Sequence, residues 1–265
     1  MPRSDDSPFV SGDAPAFTIG LPMARLHLAA LLAAGSLALA GCSGTADTPA
    51  PAAAGTTTSA TSSAPAAPAL DAAKVGTAIA DAAKQASAVH VKGTMAQDGG
   101  TLNLDLQLNS DSASGTVVKD GLEIPVLRLG EKYYFKFTDS LVKQAGVPAS
   151  AAKQLTGKWV SSTSKVGEGF AKDFKEMLDY KSFTAGLLGE LQKSTFKPGE
   201  PTTLAGAPVL SFASSDGTAT VAAAEPHYLL RMADPKNGAM EFSDWNKPTT
   251  VSEPPAAELY SGPGA

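Results

Sequence analysis

Cysteine and histidine are scarce in this sequence, and their scarcity excludes several kinds of chemistry. The 265 residues include a single cysteine, Cys42, and three histidines. One cysteine cannot form a disulfide within the chain, and it cannot build a zinc or iron–sulfur site that needs several thiolates. The sequence therefore predicts no metal and no cofactor.

Positive charge and catalytic motifs are also lacking. Lys and Arg number 21 against 26 Asp and Glu, so the formal net charge is −5. Nucleic-acid binding needs a dense basic patch that neutralises phosphates, so no nucleic-acid partner is expected. There is no Gly-x-Ser-x-Gly elbow, glycine-rich phosphate loop or His-Glu-x-x-His motif, and we predict neither enzymatic activity nor catalytic residues.

The hydrophobic run near the amino terminus is too short to cross a membrane as a helix. Residues 28–40 supply about 13 apolar positions after Arg25, whereas a helix needs ~20 residues to span a bilayer. A positive residue followed by such a run is typical of a secretory signal peptide. We predict a signal peptide over residues 23–41, with Met23 as initiator and residues 1–22 as an upstream extension.

The end of this segment, Leu39-Ala40-Gly41-Cys42, resembles the lipobox of bacterial lipoproteins. That resemblance implies that Cys42 becomes the first residue of the mature chain and carries a diacylglycerol anchor with acyl chains such as palmitate. The partner would then be a membrane, and the location would be the extracytoplasmic face of the cell membrane, where two acyl chains suffice for stable anchoring. The alternative is a short buried helix with an incidental cysteine.

The segment from Cys42 to residue 69 reads as a tether. After the cysteine it contains only Ala, Pro, Ser, Thr and Gly apart from Asp47. Without large side chains nothing offsets the entropy of ordering the backbone, so we predict a disordered linker. The folded domain is then predicted over residues 70–265.

Periodic patterns indicate the elements of this domain. Residues 70–88 show apolar side chains at spacings of three and four, which predicts an opening helix. Leu102, Leu104, Leu106 and Leu108 alternate with polar residues, so that one face of a strand is entirely leucine. Such alternation is typical of an antiparallel sheet with one face in water.

The rest of the domain is a meander, a helical middle and a second meander. Helices are predicted over 139–155, broken at 146–148, and over 170–191, broken near 183–184. Strands are predicted over 89–96, 101–108, 115–119, 122–129, 132–138, 158–160, 209–213, 218–223, about 228–232 and 240–242. His90 and His227 fall on the polar side of strands, and Tyr228, Leu230 and Met232 on the apolar side.

Helices and strands are segregated along the chain rather than alternating. The predicted fold class is therefore α+β. We expect a single curved antiparallel sheet, a half-barrel of about nine or ten strands, wrapped around helices.

The order of these features is similar to that of the actinobacterial LppX/LprG lipoproteins. The lipobox, tether, leading helix and leucine hairpin are followed by Gly157-Lys158-Trp159-Val160 before paired helices, and by a meander ending near Asp244-Trp245-Asn246. The resemblance spans residues 70–258 and implies the fold of the lipoprotein carriers LolA and LolB. It also implies an apolar pocket that holds acylated lipid or glycolipid for carriage or presentation in the cell envelope, with a membrane lipid transporter as a further partner.

The candidate lining residues of such a pocket are identified only from the apolar–polar pattern, which predicts which side chains face inward. A C16 acyl chain in water costs on the order of 12 kcal/mol at ~0.8 kcal/mol per CH₂, so a carrier must enclose it. The alternative is an envelope interaction module with a filled core and a protein partner. A void of roughly 300–1,000 Å³ beside the lining would distinguish the two. The predicted lining residues are Leu102, Leu104, Leu106, Leu108, Tyr133, Phe135, Phe137, Phe170 and Phe174.

Overall fold

The computed structural model describes residues 70–265 apart from positions 98, 201 and 263. The predicted upstream extension, signal peptide, lipidated Cys42 and tether lie outside the described residues. Within the described part, no helix is long and apolar enough to cross a membrane.

Five α-helices form in the described part of the chain, and three of them begin at side-chain caps. The hydroxyl of Thr138 accepts from the N–H of Leu141, and the hydroxyl of Ser164 accepts from the N–H of Gly167. The helices are α1 (Val75–Gln85), preceded by a 3₁₀ turn at Ala72–Lys74, α2 (Asp139–Gln144), α3 (Ala149–Leu155), α4 (Lys165–Leu178) and α5 (Tyr180–Leu191).

The break between α4 and α5 lies at Asp179, so the predicted break near 183–184 is wrong. Asp179 caps α5, and its carboxylate accepts from the backbone N–H of Ser182 at 2.8 Å. Thr184 supports the helix instead of breaking it, because its hydroxyl donates to the carbonyl of Tyr180 at 2.7 Å.

The strands form a single antiparallel sheet, as the α+β prediction requires. It has twelve strands rather than nine or ten, because two very short ones, β7 and β8, carry no periodic pattern. The strands are β1 (Ala88–Gln97), β2 (Gly100–Asn109), β3 (Ser112–Lys119), β4 (Leu122–Leu129), β5 (Lys132–Lys136), β6 (Trp159–Ser161), β7 (Lys197–Pro198), β8 (Thr202–Leu204), β9 (Ala207–Ser214), β10 (Gly217–Ala222), β11 (Leu229–Asp234) and β12 (Gly238–Ser243). Their order is β6-β5-β4-β3-β2-β1-β12-β11-β10-β9-β7, with β8 also paired to β9.

The pairing of β1 with β12 joins the first meander to the second. Its register runs from His90 opposite Ser243 to Met95 opposite Gly238. Gly93 permits the close approach of the two strands: a Cβ there would lie 2.2 Å from the carbonyl oxygen of Ala239. A side chain at position 93 is therefore incompatible with this pairing as it stands.

One face of the sheet, called the inner face below, is buried under the helices. The leucines of β2 lie opposite Val89, Val91 and Met95 of β1, and Val91 lies opposite Phe242 of β12. Helix α4 packs on β3, β5 and β6, while α5 packs on α4 and α1. A single hydrophobic core joins the inner face to these helices.

A β-bulge changes which residues of β11 point inward. The register shifts between Thr220 and Val221 of β10, so that Val221 lies opposite Leu229. Leu229 is fully buried and Leu230 only partly so. The predicted inward position of Leu230 is therefore wrong, because the bulge inserts one residue into the alternation.

The segment after β12 crosses the opposite, outer face of the sheet. Asn109 exchanges hydrogen bonds with the backbone of Thr249. Glu253 forms an ion pair of 2.8 Å with Lys132 of β5. At the sheet edge, the N–H of Tyr260 donates to the carbonyl of Trp159. Residues 246–260, called the C-terminal strap below, thus contact β2 and β5 on the outer face and β6 at the edge of the sheet.

Candidate functional site

The predicted lining residues all belong to one hydrophobic core or pack against it. Eight of the nine are buried, and Phe170 is partly exposed. The rings of Phe135 and Phe174 lie 5.2 Å apart between centroids, and Phe170 contacts both Phe135 and Phe137 at 5.6 and 5.3 Å. The sheet and α4 therefore bring the leucine row and the aromatic side chains into a single apolar layer.

This layer is closed in the structure. Leu102, Leu106, Leu108 and Phe135 are 0% exposed. A side chain beside a space large enough for water would expose surface to it. These residues therefore pack against protein atoms, and a role in lining a ligand cavity stays a prediction about a state in which the helices move apart.

Phe170 connects the apolar layer to the surface of the protein. It lies on α4, packs on the core and remains partly exposed. Val166, one turn earlier on the same helix, is also partly buried against the core. Phe170 and Val166 thus form a partly exposed apolar surface that is continuous with the core, called the apolar path below.

The described residues form a cavity of about 270 Å³ elsewhere, in the region of β1, β2 and β3. Most of its lining side chains, including Lys92, Asn103 and Asp105, alternate with the buried residues of the inner face and so belong to the outer face. Its volume is slightly below that of typical ligand pockets, and the surface lining it is mainly apolar although several of the lining residues are polar. It lies outside the layer formed by the predicted lining residues.

A charged cluster of β1, β2 and β12 borders this cavity. His90 Nε2 lies 2.7 Å from Asp105 Oδ1, and its Nδ1 lies 3.3 Å from the hydroxyl of Ser243. Lys92 Nζ lies 2.9 Å from Asp105 Oδ2. The hydrogen bond from Lys92 holds the pKa of Asp105 below its ordinary value, against a smaller effect of burial. This cluster connects neighbouring strands across the solvent-exposed face.

His227 does not lie on the polar side of a strand, so that prediction is wrong. It precedes β11 and is buried, with Nδ1 3.0 Å from the carbonyl oxygen of Ala222. The imidazole of His227 is therefore hydrogen-bonded to the backbone and has a structural role. Across residues 70–265, where described, no three His, Cys, Asp or Glu side chains converge to hold a metal ion.

A further charged residue, Arg128, lies on the inner face. In β4 it follows Leu122, Ile124 and Val126 at intervals of two and shares their side of the sheet. Its side chain is 7% exposed, and Nη2 lies 2.9 Å from Oδ2 of Asp179. Among the described residues, neither Nε nor Nη1 has a hydrogen-bond partner.

Asp179 holds its negative charge beside this arginine. Burial alone would raise the pKa of Asp179. The backbone N–H and hydroxyl of Ser182 and the charges of Arg128 and Lys181 outweigh that effect and keep the pKa below its ordinary value. The pair therefore stays ionised and joins β4 to the junction of α4 and α5.

Comparison with known proteins gives similarity of structure at low sequence identity. No family model matches the chain, and no curated protein matches it. A solved structure of LprF from Mycobacterium bovis is 14% identical with a TM-score of 0.44, over 69% of this chain and 96% of LprF. The Mycobacterium tuberculosis lipoprotein LppX is 14% identical with a TM-score of 0.43, over 68% and 97%.

A third solved structure, the Pseudomonas aeruginosa MucA/MucB complex, is 12% identical with a TM-score of 0.30, over 73% of this chain and 62% of that chain. Identities this low transfer no residue roles. The chain is similar to LprF and LppX, whose family is the one that its sequence pattern resembles.

Proposed function

We propose that this chain is a lipid-anchored protein of the extracytoplasmic membrane face that binds acylated lipid between the inner face of its sheet and α4. The anchor would be the diacylglycerol on Cys42, followed by the tether. The bound lipid would be carried or presented within the cell envelope, and a membrane lipid transporter would be the protein that exchanges it.

The apolar path beside Phe170 is the observation that carries this proposal. It joins the surface to the leucine and aromatic side chains of the core. Because the layer is closed, a lipid must displace α4 from the sheet. The free energy comes from removing the acyl chain from water, on the order of 12 kcal/mol for C16 at ~0.8 kcal/mol per CH₂.

Native mass spectrometry tests the proposal directly. The full chain with Cys42→Ala, which removes the anchor, is purified without detergent from a lipid-rich host and then mixed with phospholipid. We expect a co-purified or added acylated lipid at one per chain. An unliganded mass under both conditions would contradict lipid binding.

A tryptophan reporter locates the lipid. Phe170→Trp places an indole at the path, and Val118→Trp places one at a partly buried outer-face position as a matched control. We expect lipid to shift the emission of Phe170→Trp relative to the parent protein, and to leave that of Val118→Trp unchanged. Equal shifts in both variants would place the lipid elsewhere.

The closed core favours a second candidate. Leu102, Leu106 and Leu108 expose no surface, as expected of an anchored envelope module that presents its outside to a protein partner. This candidate predicts the unliganded mass and no emission change on adding lipid. The same two experiments therefore separate the two functions.

A further inference from the structure

Arg128 is a charged side chain in the apolar inner face. Across the sheet it lies opposite Ala113 of β3 and Tyr133 of β5, both buried. Along its own strand the preceding inward residue is Val126. A guanidinium in such surroundings loses its hydration, so its donors need acceptors from elsewhere.

The described residues supply hydrogen-bond acceptors to only part of this guanidinium. Arginine has five N–H donors, and three of them belong to Nε and Nη1. These two nitrogens have no acceptor among the described residues, while Nη2 is bound to Asp179. Asp179 in turn accepts from the backbone N–H and the hydroxyl of Ser182. Both carboxylate oxygens of Asp179 thus have partners, whereas Nε and Nη1 of the guanidinium have none among the described residues.

The place of Arg128 in the sheet suits the polar end of an amphipathic ligand. It is the last inward-facing position of β4, next to the strand end at Leu129, and it faces the junction of α4 and α5. From there the inward residues of β4 are apolar back to Leu122. An eight-residue strand extends for ~26 Å, so an acyl chain that starts at Arg128 could lie along this row.

We propose that Arg128 binds the anionic group of the acylated ligand, a carboxylate or a phosphate, through Nε and Nη1, with the acyl chain along the inner face. This inference rests on the proposed function and deepens it by naming the chemistry of the polar end. The planar guanidinium is the side chain best matched to these two groups, and its hydrogen bonds to them are charge-assisted. The ligand would enter as α4 and α5 move from the sheet.

Three ligands with the same 16-carbon chain test the subsite: palmitate, hexadecyl phosphate and hexadecanol. Binding is measured on the full chain with Cys42→Ala, alone and with Arg128→Met. The control is Arg231→Met, which removes an exposed arginine from the outer face of β11. We expect the parent and the control to bind at least one anionic ligand about 10- to 100-fold more tightly than hexadecanol, the range of hydrogen bonds to charged groups.

In Arg128→Met we expect this preference to vanish while the hexadecanol affinity is retained. The preferred anion in the parent distinguishes a carboxylate from a phosphate ligand. Equal binding of all three ligands by the parent, or a preserved preference in Arg128→Met, would overturn the subsite and leave the proposed function standing. Failure of the parent to bind any of the three would overturn the proposed function and the subsite with it.

A second variant keeps the test valid if Arg128→Met does not fold. Arg128→Lys retains the charge but removes the planar fork. We expect its preference for the anionic ligand to fall at least about threefold, with unchanged affinity for hexadecanol. An unchanged preference in Arg128→Lys would also overturn the subsite.

Discussion

The ion pair between Arg128 and Asp179 is asymmetric in its burial. The arginine side chain is 7% exposed and the aspartate 22%. Removing one partner of a buried pair costs about 3–5 kcal/mol, because the remaining charge has no compensation. The cost should therefore be greater when the more deeply buried arginine is left alone.

We expect Asp179→Asn to lower the free energy of unfolding by about 3 kcal/mol. Asparagine can still cap α5, so the loss reports the missing charge rather than the missing cap. Arg128→Met should cost less, because Asp179 retains both hydrogen bonds from Ser182 and some water. Urea denaturation measures both values, and a larger loss in Arg128→Met than in Asp179→Asn would contradict the expectation.

The pH dependence of stability should change in the same variant. The folded pKa of Asp179 lies below its unfolded value of ~3.9, so its contribution is present above about pH 4 and is lost as the pH falls through the folded pKa. Asp179→Asn should therefore flatten the fall in stability below pH 4.

Asp173 gives a control of opposite sign. Burial raises its folded pKa, and the charge of Lys119 offsets this only partly, so protonation of Asp173 favours the folded state as the pH falls toward 4. Asp173→Asn removes that contribution and should steepen the fall in stability just above pH 4. Urea denaturation at several pH values measures these slopes.

Arg128 also shows what a sequence pattern can and cannot reveal at a single position. The interval of two from Leu122 places it on the inner face, and this signal was available in the sequence. Its charge argues for the outer face. The conflict is resolved by Asp179, which is 51 positions away in sequence and reaches Arg128 only after α4 and α5 have packed on the sheet.

At the scale of elements, the β1–β12 pairing depends on a glycine. A Cβ at Gly93 would meet the carbonyl of Ala239 at 2.2 Å and the Cα of Met240 at 2.7 Å. Both are backbone atoms, so one strand must shift. We expect Gly93→Ala to lower the free energy of unfolding by at least about 2 kcal/mol, as overpacking commonly does.

Gly169→Ala is the matched control for this prediction. Gly169 lies within α4, is exposed and would bring its Cβ within 4 Å of nothing. Alanine there should raise the free energy of unfolding by about 0.5–1 kcal/mol, since it removes the backbone entropy cost of glycine. Urea denaturation of both variants should give changes of opposite sign, and equal effects would contradict the close approach at Gly93.

The C-terminal strap is a second element whose contribution can be measured. Tyr134 of β5 is 4% exposed on the outer face, and burial followed by its hydrogen bond to Glu253 raises its pKa above the ordinary value. Ending the chain after Lys247 should cost about 1.5–3 kcal/mol for each large side chain that becomes exposed. It should also return the pKa of Tyr134 toward 10. Spectroscopic titration of tyrosine and urea denaturation measure the two effects, and an unchanged titration would contradict the contact.

The elements differ in how far the sequence predicts them. The first five strands follow one another through tight turns such as Asp120-Gly121, so local patterns predicted them well. The bulge near Leu229, the two-residue strand β7 and the C-terminal strap were missed. Each depends on partners distant in sequence, and none has a period of its own.

At the scale of the whole molecule, the first strand of the first meander, β1, lies beside the last strand of the second meander, β12. Val91 of β1 pairs with Phe242 of β12, and the hydrophobic core of the described residues includes side chains from both meanders and from all five α-helices. The α+β class could be predicted because it follows from the order of elements. The β1–β12 closure could not, since strand alternation identifies a buried face but not the strand beside it.

This closure predicts that the two meanders unfold together. Trp159 on β6 and Trp245 after β12 report on different ends of the chain, and Trp245 stacks on Tyr228 at 5.0 Å. Variants that keep one tryptophan, Trp159→Phe and Trp245→Phe, should each give a single urea transition whose midpoint agrees with circular dichroism of the same variant.

Adding Gly93→Ala should lower the midpoint in both backgrounds by the same amount, because the strands it separates belong to one cooperative unit. A shift seen by Trp245 alone would show that the second meander opens independently, and the sheet would then act as two units joined at β1 and β12.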